Sequence, residues 1–274
     1  MQTTLIRPNS RIILAILVLQ LGLFSPTSSL FANELEQVAQ NSEAPPSPPL
    51  SFNVSIDSDY RYRGISQTKG KPALSLGADY AFPNGWYVGT WVSTLSSLND
   101  DSQENLGPLE IDFYGGYRFN LGSVEWDMGI LHFEYPGKNI PSGPERPPPV
   151  GTNTTDWYVA TTYKKLTIKY SQSFTLIFGD PDFVGSKYIE ASFPFDLGND
   201  LSLTAHIGRQ RFQNSAYTKA RYTDVSLALR KNFDNGLEGS LIAVSTNASR
   251  EDYTSDRGNF DGKSAVIVGL KYIF

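Results

Sequence analysis

From Ser51 to Phe274 the chain is a succession of short segments in which apolar and polar side chains alternate. A strand sends successive side chains to opposite faces, so each segment has one greasy face and one polar face. Phe52–Gly64 sets the pattern. Phe52, Val54, Ile56, Ser58, Tyr60 and Tyr62 share one face; Asn53, Ser55, Asp57, Asp59, Arg61 and Arg63 share the other. In a soluble sandwich the apolar face is the core and the charged face meets water. In a membrane barrel the senses reverse: the apolar face meets lipid and the charged face lines the interior. One segment does not decide between them. The number of repeats and the lengths of the connections do.

The alternation recurs along the whole chain. Pro72–Phe82 runs into Pro83-Asn84-Gly85, a strong hairpin signal. Trp86–Leu95 is a strand of undecided facing. A long polar loop, Ser96–Pro108, leads to Leu109–Phe119, a tight turn at Asn120-Leu121-Gly122, and Ser123–Tyr135. A proline-rich loop, Pro136–Thr154, precedes Thr155–Tyr163 and Leu166–Phe178, joined at Lys164-Lys165. Lys187–Phe195 and Leu201–Phe212 meet around Asp196–Asp200; Tyr222–Phe233 and Leu237–Asn247 meet at Asp234-Asn235-Gly236. The facing of Leu237–Asn247 is also undecided. Lys263–Phe274 is last. Roughly twelve strands result, each of about the length that crosses a bilayer at a tilt. Tight turns alternate with long polar loops, as in barrels with short periplasmic turns and longer outer loops. An even count puts both ends in the periplasm. The expected fold is therefore all-β: a single antiparallel transmembrane β-barrel.

The start of the chain reads as an export signal. Arg7 and Arg11 precede the apolar run Ile12–Phe24, and Ser28, Ser29 and Ala32 are small residues suited to cleavage, so 1–32 is expected to be a signal peptide. Residues 33–50, with Pro45, Pro46, Pro48 and Pro49, read as a periplasmic linker, leaving 51–274 as the barrel. There is no cysteine, so an exported fold must be held by packing and backbone pairing. The formal charge is −5, and −7 once Arg7 and Arg11 are removed. That argues against a nucleic-acid partner, which calls for a basic surface. On the last strand Val266, Val268, Leu270, Tyr272 and Phe274 form one apolar face. The terminal aromatic, with Tyr272, matches the signal read by the outer-membrane assembly machinery. Tyr60, Tyr62, Trp86, Tyr117, Phe119, Phe195 and Tyr272 fall near strand ends, as aromatic girdles require.

SDYRYRGISQTKGKPALSLGADYAF, NGWYVGTWVS, EIDFYGGYRF, KYIEASFPF and LSLTAHIG together resemble the TorF-type porin family of proteobacterial outer-membrane proteins. The most specific piece is Ser58–Thr68; Pro136–Thr154 and Ala248–Gly262 depart from the family pattern. The resemblance implies one outer-membrane barrel with a porin role and names no solute.

The alternation assigns ten acids to the inner face: Asp57, Asp59, Asp79, Glu110, Asp112, Glu125, Asp127, Asp156, Glu190 and Asp224. Six bases join them, Arg61, Arg63, Arg118, Lys169, Arg230 and Lys271, together with His206. Facing lipid, a charge at mid-depth costs about 2–4 kcal/mol for Arg or Lys, so the lumen is where they belong. These residues are expected to line a pore that passes small hydrophilic solutes or ions. A plugged, structural or adhesive barrel with partner-binding loops is the alternative. A lipid-acting enzyme is a third reading: Ser202 and Thr204 share a face with His206, the minimum for nucleophilic catalysis. That face is the lumen, however, and the sequence names no group to orient the imidazole. No cofactor, metal site or catalytic residue is expected. Outer-membrane lipid and lipopolysaccharide, the assembly machinery and small solutes are the expected partners.

Overall fold

The computed structural model describes residues 49–95, 109–136, 153–175, 184–213, 220–233, 235–255 and 258–274. The expected signal peptide and nearly all of the linker lie outside these residues, as do most of the long loops. Among the described residues fourteen strands are formed: β1 (Leu50–Asp57), β2 (Arg61–Tyr62), β3 (Ile65–Ser66), β4 (Ala73–Ala81), β5 (Trp86–Thr94), β6 (Leu109–Leu121), β7 (Val124–Glu134), β8 (Thr154–Tyr163), β9 (Leu166–Ser173), β10 (Lys187–Gly198), β11 (Leu201–Arg211), β12 (Tyr222–Asn232), β13 (Leu237–Thr246) and β14 (Ala265–Ile273). Twelve of them close a barrel in the order β1-β14-β13-β12-β11-β10-β9-β8-β7-β6-β5-β4, every pair antiparallel. β2 and β3 form a separate two-stranded sheet.

Closure leaves no strand edge. The seam joins the ends of the chain's β region: Asn53 pairs with Ile273 and Asp57 with Gly269. Phe52 and Phe274 then exchange both backbone hydrogen bonds, each 2.9 Å, and their rings stack at 5.8 Å. Five short turns lie at one end of the barrel, for example Gly122-Ser123 between β6 and β7 and Lys164-Lys165 between β8 and β9. The strand ends that flank the longer connections lie at the other. The β6–β7 turn is tighter than the sequence predicts, because Asn120 and Leu121 stay paired with Glu125 and Val124.

The outward face is apolar on every wall strand. Leu76 is 52 % exposed and Val268 59 %, and Ile130, Ile168, Ile207 and Leu227 are similarly bare. A continuous apolar belt of this kind is what lipid requires and water does not tolerate. Around the short-turn end the belt is rimmed by touching rings: Tyr80 and Phe82, then Trp86, Tyr117, Phe119 and Trp126, then Phe193 and Phe195.

The inward face is polar and closely packed. Four inward glycines make room for tyrosine rings of neighbouring strands: Gly89 for Tyr114, Gly116 for Tyr87, Gly129 for Tyr158 and Gly208 for Tyr188. The first three are direct cross-strand partners. A Cβ on Gly116 would sit 2.5 Å from the Tyr87 hydroxyl. The tyrosines therefore lie flat along the wall rather than across the lumen. Gly116→Val is expected to lever Tyr87 off the wall and to cost about 1–3 kcal/mol, as overpacking does. Gly239→Ala, which meets only an ordinary 3.6 Å contact with Phe233, should stay within about 0.5 kcal/mol of the parent. Denaturant midpoints of the detergent-folded barrel check both.

Candidate functional site: a hairpin folded into the lumen

β1 stops at Asp57, seven residues short of the strand that the alternation predicts to Gly64. The chain does not continue up the wall. Ser58–Pro72 turns inward from the long-loop end and fills the barrel mouth, with Tyr60, Tyr62, Arg63, Ile65, Ser66, Gln67 and Thr68 all buried. Asp59, Arg61 and Arg63 are thus residues of an inserted hairpin, not of the wall. Tyr60 and Tyr62 belong to the interior and not to a membrane girdle.

The reversal is built on two adjacent residues with positive φ, Arg63 at 47° and Gly64 at 82°, between the paired Tyr62 and Ile65. Two-residue hairpin turns of this hand need φ > 0 at both central positions. Glycine at 64 is needed twice over, since a Cβ there would lie 2.6 Å from Thr246 on β13 and 2.7 Å from Asp224 on β12. Asp59 ties the hairpin together. Its carboxylate accepts from Arg61 Nε at 2.7 Å, Ser66 Oγ at 2.6 Å, Thr68 Oγ1 at 2.9 Å and the Gly70 amide at 3.2 Å. Four donors on one carboxylate order fifteen residues that have no long ladder of their own.

Each side of the hairpin docks on a different sector of the wall. The Tyr60 hydroxyl donates to Glu110 at 3.0 Å, and its ring meets Trp91 edge-on. Glu110 and its β6 neighbour Asp112 are fully covered. Tyr62 packs against Phe133. Arg63 crosses the lumen, donating to Gln210 at 2.7 Å and approaching Asp156 at 3.4 Å. Its guanidinium lies 4.7 Å from the Tyr62 ring centre and 4.3 Å from that of Tyr188, two cation–π contacts in a buried setting. Ile65 joins Ala220, Tyr222, Ala248 and Tyr253 in the apolar cluster of the mouth, flanked by Phe212 and Phe260.

Beneath the hairpin the wall carries tyrosine–carboxylate pairs. Tyr87 donates to Asp127 at 2.6 Å and also meets the Tyr158 hydroxyl. Arg118 bonds Asp127 at 3.2 Å and stacks on Tyr87, while Lys169 lies over Tyr158. Tyr114 donates to Asp79. On the opposite wall the Tyr188 hydroxyl donates to Asp224 at 3.0 Å and Arg230 pairs with Glu238 at 3.6 Å, and at the β1–β14 seam Asp57 lies within electrostatic reach of Arg230 and Lys271. Glu125 lies beside Arg118 and Asp127. Tyr272 and Phe274 point outward, in contact with one another.

His206 differs from the sequence reading. Its imidazole is bracketed by Asp224 at 3.1 Å and Glu190 at 3.6 Å, so groups that orient it do exist. Its hydroxyl neighbour is Tyr188 at 3.2 Å. Among the described residues neither Ser202 nor Thr204 bonds to it, so no nucleophile–base pair forms. Alternation also left Glu238, Tyr87 and Trp91 unassigned. All three face inward, and only cross-strand register reveals it.

The mouth also holds a titratable contact. Asp261, in the β13–β14 connection, accepts the Ser66 amide on its backbone oxygen at 3.0 Å. Burial pushes its carboxyl up to about 7, against the pull of Lys69, Arg61 and Lys263 and with the push of Asp59. A raised folded-state value means the neutral acid is the form that the fold prefers. Its contribution is complete below the ordinary carboxylate range and is lost as pH rises through about 7. Thermal stability should therefore fall between about pH 4 and pH 7, and Asp261→Asn should flatten that slope. A slope unchanged by the substitution would assign it to another group.

The family model Gcw_chp, described as a bacterial protein of unknown function, matches residues 41–274. None of the curated proteins matches the sequence. Two solved porins share the fold. The NanC porin is 12 % identical with a TM-score of 0.53, covering 82 % of this chain and 98 % of its own. The KdgM porin is 10 % identical with a TM-score of 0.50, covering 82 % and 99 %.

Proposed function

We propose that this chain, which belongs to the Gcw_chp family of bacterial proteins of unknown function, is an outer-membrane channel for passive diffusion of small hydrophilic solutes or ions. The observation that carries the reading is the inversion of the barrel: between the two rims, ionisable side chains of the wall strands face one enclosed space while the lipid-type surface faces out. The resemblance of Ser58–Thr68 and its flanking segments to the TorF-type porins agrees with it, as do the names of the NanC and KdgM porins. On this reading the protein is exported by a cleaved signal peptide. It meets lipopolysaccharide in the outer leaflet and is assembled through its last strand, with Phe274 as the terminal signal. It is not an enzyme, since His206 serves as a hydrogen-bonding wall residue.

Within that channel the inserted hairpin is the constriction, and Arg63 is its crossbar. The pore-lining set is then Asp57, Asp79, Glu125, Asp127, Lys169, Glu190, His206, Arg230 and Lys271 below the hairpin, with Asp59, Arg61 and Arg63 at the narrowing. Acids outnumber bases on the wall, which raises the local cation concentration in a narrow path. The purified protein in planar bilayers should show small conductance steps with mild cation preference at about 0.1 M salt. The preference should fade at about 1 M, where the Debye length shrinks to ~3 Å. Asp127→Asn should weaken it, and Arg63→Gln should enlarge the steps by loosening the hairpin. A barrel that conducts neither intact nor with Arg63 replaced would be a structural or adhesive one.

A further inference from the structure

One surface feature is unconnected with the lumen. Lys187 on β10 and Arg209 and Arg211 on β11 lie on the outward face at the long-loop end, and Arg221 is exposed just before β12. They are neighbours. Lys187 pairs with Arg211, Ile189 pairs with Arg209, and Tyr222, the residue after Arg221, pairs with Gln210. The residues around them are neutral: Gln172 opposite Lys187, and Thr223, which accepts a 2.6 Å bond from Arg209. Among the described residues, none of the four makes an ion pair, and no carboxylate shares the outward face of β9 to β13 at this end. The rim is not basic all round, since on β7 its outward residues are His132 and Glu134, bonded to Thr155 and Asn153. Immediately toward the barrel middle come Ile189, Ile207 and Val225, each about half exposed.

Four like charges on one lipid-side patch repel one another unless an anion sits among them. The patch lies where apolar belt gives way to water, at the depth of lipid headgroups on the loop side. A charge there costs about 0–1 kcal/mol, so the position is tolerated. Three of the four are arginines, whose planar forks bind phosphate bidentately. We infer that the β10–β12 rim is a docking site for a phosphorylated glycolipid of the outer leaflet. The phosphates sit among Lys187, Arg209, Arg211 and Arg221, and the acyl chains lie along Ile189, Ile207 and Val225. This rests on the outer-membrane reading above, which supplies the leaflet, and adds a particular lipid and sector.

The test uses the full-length barrel refolded in detergent, first shown to be folded by heat-modifiable gel migration. Binding of lipid A carrying both phosphates, lipid A stripped of phosphate, and phosphatidylglycerol is compared by native mass spectrometry. The parent should prefer the phosphorylated lipid A. The variant Lys187→Gln/Arg209→Gln/Arg211→Gln/Arg221→Gln should lose about tenfold or more of that affinity, in keeping with the pull of a polybasic cluster on anionic lipid. Lys164→Gln/Lys165→Gln on the opposite rim should lose none. The double variant Arg209→Gln/Arg211→Gln serves if the fourfold one does not fold, and should fall between. Equal binding of stripped and phosphorylated lipid A, equal loss in the opposite-rim variant, or equal preference for phosphatidylglycerol would each overturn the site. A parent that failed to fold as a heat-modifiable barrel would instead overturn the outer-membrane reading, and unchanged conductance in the fourfold variant keeps the two separate.

Discussion

In hydrocarbon no water is at hand to satisfy a backbone N–H or C=O, so a sheet that lives there cannot have an edge. Everything else in this molecule follows from that constraint. The first and last wall strands have to find each other across the whole sequence, and they do so at the β1–β14 seam, finished by the reciprocal Phe52–Phe274 bonds. Once the sheet is closed, each residue is committed to one of two environments by parity alone. Apolar parity meets lipid, and polar parity is shut inside with its charges. The interior must then solve its own problem, since ionised groups removed from bulk water need partners. The tyrosine–carboxylate pairs and the Arg118–Asp127 and Arg230–Glu238 bridges are that solution.

The hairpin depends on the same closure in a second way. A mouth of this width would otherwise expose Glu110, Asp112, Asp156 and Asp224 to one another with few cations between them. Arg63, Tyr60 and Tyr62 enter that space and supply donors and rings. Asp59 pre-forms the segment that carries them, and Gly64 lets its tip touch β12 and β13. Docking on strands from both sides of the barrel makes this one segment a brace across the mouth.

Much of this was legible in the sequence, and the lapses have physical causes. β6 and β14 were readable because Ile111 and Phe113 alternate with Glu110 and Asp112, and Leu270 and Tyr272 flank Lys271. β5 and β13 were not, because the interior beside the hairpin accepts apolar groups. Trp91 and Val244 are buried there while Val88 and Leu241 face lipid, so both parities look greasy. The hairpin was hidden for a different reason. A period of two belongs to any extended chain, and Asp59 to Arg63 keep the parity of β1 although they have left the sheet. The adjacent positive-φ pair Arg63-Gly64 was the available signal, and it resembles ordinary strand sequence because arginine stands where asparagine is usual.

Because β1 and β4 hold both ends of Ser58–Pro72, the hairpin behaves as a ligand that the barrel can never lose to dilution. A short tether presents its occupant at an effective concentration on the order of millimolar. Any solute that competes for Gln210, Asp156 or Glu110 must match that figure with its own concentration or affinity before it gains a place. For a channel of the kind proposed, that biases passage toward solutes that are abundant outside the cell, or that slip past without binding.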